Sequence, residues 1–169
     1  MTPHSLPAPS ERGVAGPVLA ARAAPTHNSG VRTPTAGGLL STEPRDPVET
    51  AALLCKVALA AKAQDPSLLD MRGLVDYCDV FVILTARNRR HVAAMAEELR
   101  MYAKNELGMA PVGIEGLPAA RWVLVDFGSV IIHLFDQPLR GFYNLDGLWV
   151  DAPRLAPPEG DFDAPGASV

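Results

Sequence analysis

Residues 79–85 read Asp79-Val80-Phe81-Val82-Ile83-Leu84-Thr85. Between its two polar ends the run is apolar and rich in β-branched side chains. A strand with one wet face alternates apolar and polar residues. A strand without alternation is covered on both faces. This stretch therefore predicts a central strand with something packed on each side. Downstream, Arg121 to Asp126 does alternate, with Trp122, Leu124 and Asp126 on one face and Arg121, Val123 and Val125 on the other. Phe127-Gly128-Ser129 is a tight connection, and Val130 to Phe135 reads as a further strand, so the two form a hairpin.

Helices flank these strands. Asn88 precedes a long pattern in which Val92, Met95, Ala96, Leu99, Ala103 and Leu107 share one face at a period of 3.6, and Gly108 suits its end. Asp46-Pro47 opens an earlier helix, with Asp as cap, Pro in the first turn and Glu49 favouring the N-terminal dipole. Gln64-Asp65-Pro66 is expected to end it. Ser67 to Met71 and Pro111 to Glu115 are short strand candidates, and Asp136 is positioned to cap a short helix through Arg140, Tyr143, Leu145 and Leu148. The resulting order, α-β-β-α-β-β-β-α, defines an α/β domain with a mixed sheet flanked by helices.

Proline marks where this domain stops. Of 16 prolines in 169 residues, eight fall in 1–47, four in 48–152 and four in 153–169. Residues 1–46 are rich in Pro, Ala, Gly, Ser and Thr without sustained periodicity, and are expected to be a disordered extension. Residues 47–152 form the folded domain, and 153–169 a Pro-rich tail that returns to disorder. The scattered arginines near the start faintly suggest an organelle-targeting segment, a minor alternative to a cytoplasmic protein. Cys55 and Cys78 lie in apolar runs without any CxxC pair, which fits a reducing compartment and speaks against structural zinc. No apolar run reaches the ~18 residues of a membrane span.

The net charge is −4, and residues 48–152 contribute −3 of it. Affinity for a phosphate backbone comes from Lys and Arg, so a domain with this balance is not expected to recognise nucleic acid directly, although a local patch can hide within a net charge. A basic protein is the better-matched partner.

The search for chemistry is largely negative. There is no GxGxxG after a strand and no GxxxxGK[ST]. Asp70, Asp79 and Asp126 lie at or beside strand ends, and a metal-dependent nucleotidyltransferase built on them is the alternative to a binding protein. Carboxylates that share a metal usually stand two apart on one strand, and these do not. His133 shares a strand face with Ile131 and Phe135, and Ser129 sits in no nucleophile elbow. No cofactor is implied. What stands out is aromatic. Trp122, Phe127, Phe135, Phe142, Tyr143 and Trp149 crowd the last thirty residues of the domain, with Arg140 among them. Trp, Tyr and Arg dominate interface hot spots, and Trp122 shares its face with charged Asp126, so that face is expected to be only partly covered.

Several segments, in order, carry a family resemblance: Leu69-Asp70-Met71-Arg72-Gly73-Leu74, Asp79 to Ile83, Arg90-His91-Val92, Glu115-Gly116, Trp122 to Gly128, Val130 to Phe135, and Arg140 to Trp149. Together these resemble the ribosomal silencing factor family, also called RsfS or Iojap, across residues 48–152. The resemblance implies a nucleotidyltransferase-like fold without the catalytic residues, and no reaction. It implies binding to the large ribosomal subunit through the basic ribosomal protein numbered fourteen. That binding would sterically block subunit joining and repress translation when nutrients are scarce. A homodimer is possible when the protein is free. Trp122, Asp126, His133, Phe135, Arg140, Tyr143, Asp146 and Trp149 match the family motifs and are the expected partner-binding residues. Two positions depart from the pattern. Thr85-Ala86-Arg87-Asn88 stands where relatives often have a small-residue stretch with Gly and Ser, and Ser129 stands where an acidic residue is common.

Overall fold

The computed structural model describes residues 45–159. The extension expected at 1–46 lies outside the described residues up to position 44, as does the tail from position 160.

The elements follow the order α1 (Pro47–Ala60), β1 (Gln64–Asp70), β2 (Val80–Ala86), α2 (Arg89–Glu106), β3 (Gly113–Glu115), β4 (Trp122–Asp126), β5 (Val130–Asp136), α3 (Gln137–Tyr143), α4 (Leu145–Leu148) and β6 (Arg154–Leu155). The six strands form one sheet in the order β3-β4-β5-β2-β1-β6. β2 pairs parallel with β5 from Val80↔Val130 to Ala86↔Asp136, and the remaining pairs are antiparallel.

The unalternating run does form a central strand, and every residue of β2 is buried. Val80, Val82, Leu84 and Ala86 enter the core beneath α1 and α2, while Phe81 and Ile83 enter a second core on the other side. β4 and β5 divide in the same way: Val123, Val125, Val130, Ile132 and Leu134 join the first core, and Leu124, Ile131 and Phe135 the second. The first side is closed by the stripe of Val92, Met95, Ala96, Leu99 and Ala103 on α2, together with α1. Asp46 caps α1 by accepting from the Val48 and Glu49 amides, and Asn88 caps α2 by accepting from His91. The imidazole of His91 also bonds the Ala61 carbonyl at 2.7 Å, fixing the start of α2 to the end of α1. The two cysteines are free, buried and on opposite sides of the sheet. Burial pushes both thiols up to about 12, with Asp79 and Asp126 adding to the effect at Cys78.

Several expectations change. α1 ends at Ala60, Lys62 takes φ +68, and the turn expected at Gln64-Asp65-Pro66 opens β1 instead, with a register shift between Gln64 and Ser67. The strand expected from Pro111 begins only at Gly113. The single closing helix is two, divided at Asn144, whose left-handed φ of +43 ends α3 while its side chain caps α4 through the Gly147 amide. The chain does not leave the fold at Ala152. Pro153 accepts a hydrogen bond from the Asp70 amide, and Arg154–Leu155 pairs with Leu68 and Leu69 as the edge strand β6. A two-residue strand has no periodicity to read, which is why it is not visible in the sequence.

Gly116 takes φ +87 in the turn between β3 and β4, and a Cβ there would overlap the Trp122 carbonyl oxygen. Gly73 also has positive φ, +81, but faces open space. Gly116→Ala is therefore expected to cost more than Gly73→Ala by about 2 kcal/mol, measured by urea unfolding of the two variants.

Candidate functional site

The helices on the second side of the sheet are α3 and α4, of 7 and 4 residues, too short to roof six strands, and Met71, Val75, Tyr77 and Cys78 of the β1–β2 connection pack there as well. Aromatic rings fill the gap. Trp122, at the start of β4, stacks on Phe135 with centroids 4.8 Å apart and meets Tyr143 of α3 at 4.7 Å. His133 lies edge-on to Phe81 at 4.8 Å, and Phe81 meets Trp149 at 6.0 Å. A continuous path of rings therefore runs from Tyr143 through Trp122 and the β5 rings to Phe81 and Trp149. Tilted and edge-to-face pairs of this kind add about 0.5–1.5 kcal/mol each beyond the area they bury.

His133 is the polar member of this core. It is 1% exposed and accepts at Nδ1 from the Trp122 indole N–H at 3.3 Å. That bond puts the proton of the neutral ring on Nε2, which has no hydrogen-bond partner among the described residues. Burial, and then the charge of Arg140, hold its pKa down to about 3. The imidazole is thus a neutral acceptor that orients the indole.

An ionic clasp holds the short helices down. Arg140 of α3 pairs with Asp146 of α4 at 2.9 Å, Arg154 of β6 approaches Asp146 at 3.5 Å, and Arg154 donates to the Ser67 hydroxyl of β1 at 3.1 Å. Burial acts to raise the Asp146 pKa. The Ser67 hydrogen bond and the two guanidinium charges outweigh it and keep the carboxyl below its ordinary value.

The eight expected partner-binding residues thus fall into three groups. Trp122, His133, Phe135, Tyr143 and Trp149 share the ring cluster, but His133 and Phe135 are buried and present no surface to a partner. Arg140 and Asp146 are half-buried and engaged with each other. Asp126 stands at the far end of β4, where it accepts from the Gly128 amide at 2.7 Å and shapes the hairpin turn. The solvent-facing residues of this side are others: Phe142 is 77% exposed, Val150 72% and Leu148 69%. Phe142 rests edge-on against Tyr143 at 5.2 Å. In α3 the covered positions are Leu139, Arg140 and Tyr143, and Phe142 lies off that stripe, a helical-period signal present in the sequence but short.

The carboxylate alternative finds no shared site. Asp70 is engaged by Arg72 through two side-chain hydrogen bonds, which hold its carboxyl below the ordinary range. Among the described residues no three His, Cys, Asp or Glu side chains gather in a group that could hold a metal ion. No described helix is long and apolar enough to cross a membrane.

The sheet is mixed, with long helices closing one side and an aromatic face half-covered on the other. Comparison with known proteins gives it a family. Residues 44–168 match the family described as "Ribosomal silencing factor during starvation". The ribosomal silencing factor RsfS of Bacillus subtilis is 40% identical over 104 residues, spanning 59% of this chain and 87% of the relative. The chloroplastic protein Iojap of Arabidopsis thaliana is 35% identical over 138 residues, spanning 80% of this chain and 55% of that protein. A crystal structure of a Chromobacterium violaceum protein superposes with a TM-score of 0.59 at 27% identity, covering 72% of this chain and 96% of the other. The chain belongs to the ribosomal silencing factor family, a regulatory family associated with the ribosome.

The buried imidazole makes stability depend on pH. Unfolded, His133 titrates near 6.5; folded, it stays neutral down to about 3. The unfolded chain takes up the proton first, so the full contribution is present above pH 6.5 and is lost as pH falls toward 3. Urea melts between these values are expected to show a loss approaching ~1.4 kcal/mol per pH unit from this group. His133→Gln, which keeps an acceptor for Trp122, is expected to flatten the slope by about one proton. An unchanged slope would place the pH dependence elsewhere.

Proposed function

We propose that this chain binds the large ribosomal subunit through the basic ribosomal protein numbered fourteen and thereby blocks joining of the small subunit, lowering translation under nutrient limitation. It acts by occupying a protein surface and catalyses nothing. The observation that carries the docking face is the exposure of Phe142, Leu148 and Val150 on the segment that follows β5, with Phe142 resting on half-buried Tyr143, which in turn meets half-buried Trp122. Large apolar side chains left in water beside a rigid aromatic support are the form of an interface hot spot. Asp151 is exposed next to Val150 and supplies a carboxylate at the rim, and the domain as a whole is acidic, both suited to a basic partner.

This refines the set of contact residues. Trp122, Tyr143 and Trp149 shape the face, with Arg140 and Asp146 bracing it; Phe142, Leu148 and Val150 make the contact. Asp126 lies apart from it. The cytoplasm is the expected compartment, and the likeness to chloroplastic Iojap makes an organelle the alternative.

Phe142→Glu should leave the fold intact, because the side chain is already in water, and should abolish co-sedimentation with purified large subunits. Phe142→Ala is expected to weaken binding by about 2 kcal/mol, roughly 30-fold. Trp122→Ala with Tyr143→Ala removes the support and should have the larger effect. Retention of the folded Phe142→Glu protein on large subunits would remove this face from the proposal.

Acidification probes the brace independently. The Asp146 pKa is lowered in the folded state, so its contribution is present above the ordinary carboxylate value and is lost as pH falls through the lowered one. Asp146→Asn should remove that portion of the acid limb and weaken subunit binding at neutral pH without unfolding the sheet, as read by near-UV and far-UV circular dichroism together.

A further inference from the structure

The strand register sorts the charges of this domain toward opposite ends of the sheet. β2 and β5 are parallel neighbours, and they end together at Ala86↔Asp136. From that end the chain enters α2 on one side of the sheet and α3 on the other, so the carboxyl ends of the two strands open between two helix starts. In open α/β sheets such a divergence is where ligands are received. Gln64 of β1 stands opposite Thr85, and Trp122 of β4 opposite Phe135, so Lys62 and Arg121 come to the same end. Arg87, Arg89 and Arg90 surround the Asn88 cap of α2 there. The opposite end, where Asp70 stands by Val80 and Asp126 by Ile131, collects Asp70, Asp76, Asp79 and Asp126.

The basic end is open to water. Arg87, Asn88, Arg89, Arg90 and Lys62 are all exposed. Among the described residues Arg87, Arg89, Arg90 and Lys62 have no ion pair, whereas Arg72, Arg100, Arg121, Arg140 and Arg154 each do. Arg121 remains 35% exposed beside the buried Asp136 it neutralises at 2.9 Å. The 18-residue α2 starts within this group with no acidic residue in its first turn, so its positive end adds to the guanidinium charges. Asp65 and, at the β3 edge, Glu115 are exposed carboxylates at this end, two against four unpaired cations.

From this we infer that the Lys62–Arg87–Arg89–Arg90 surface is a second interaction site and that its partner is the phosphate backbone of RNA. Guanidinium groups match phosphate in geometry and charge, and several at one site give affinity by displacing counterions. The domain's net negative charge does not oppose this locally, because Asp70, Asp76, Asp79 and Asp126 are gathered at the other end of the sheet. The site adjoins the aromatic face, since Trp122 begins at the same sheet end and Arg121 precedes it. A surface where protein and RNA phosphates lie side by side would engage both sites at once. The RNA site stands apart from the docking reading: either can fail alone.

The test is fluorescence anisotropy of the full chain with a short labelled RNA duplex between about 50 and 200 mM salt. The expected result is measurable binding at low salt that weakens steeply as salt rises. Arg87→Gln, Arg89→Gln and Arg90→Gln combined should reduce the log–log salt slope by about 2 to 3 and leave thermal unfolding unchanged. Lys104→Gln, at the other end of α2, should leave binding as it was, and Phe142→Glu should not alter RNA binding. Absence of binding at low salt, an unchanged slope in the triple variant, or an equal loss with Lys104→Gln would each overturn the proposal.

Discussion

The parallel pairing of β2 with β5 is the constraint on which the rest of the molecule depends. Both strands are buried along their whole length, so every backbone group between Val80 and Ala86 has to find its partner inside the sheet. Their side chains have to find apolar company on two sides. A parallel pair cannot be joined by a tight turn. The crossover from β2 to β5 passes through α2 and the β3–β4 ribbon, and it is α2 that seals the first side. The second side is left to the β1–β2 connection, which contributes Met71, Val75, Tyr77 and Cys78, and to the two short helices that follow β5. The unequal covering of the two sides therefore follows from connectivity, and the aromatic face is its consequence.

Large rings are what a thin roof requires. Seven- and four-residue helices bury little area of their own, and isolated helices of that length are not stable in water. Stacking Tyr143 on Trp122 and setting Trp149 against Phe81 gives them apolar area and defined geometry. The clasp of Arg140, Asp146, Arg154 and Ser67 ties the same helices to the far edge of the sheet. A rigid support with Phe142, Leu148 and Val150 left outward is then suited to receive a partner with little reorganisation, which reduces the entropic cost of binding.

Much of this fold is legible in the chain. The unbroken apolar run at Val80–Leu84 requires a doubly covered strand, the alternation at Trp122–Asp126 assigns its faces correctly, and the caps at Asp46, Asn88 and Asp136 start helices where expected. What is hidden has local physical reasons. β6 is too short for a pattern, and Asn144 divides a helix by adopting a left-handed conformation that composition does not announce. The candidate site is half legible. The aromatic crowding and the motifs converge on one side of the sheet. They cannot separate rings that shape the face, such as His133 and Phe135, from those that meet solvent, because burial depends on how α3 rolls across the sheet. The charge balance is the least readable quantity, since a sum over residues carries no information about which strand end each occupies.

Hydroxyl-radical footprinting of the full chain, free and with purified large or small ribosomal subunits, tests the central claim most directly. Oxidation of Phe142, Leu148 and Trp122 is expected to fall when large subunits are added and to remain unchanged with small subunits, while Met101 and Val112, exposed elsewhere, keep their reactivity. Undiminished oxidation of Phe142 and Leu148 on large subunits that retain the chain would show that the aromatic face is not where this protein docks.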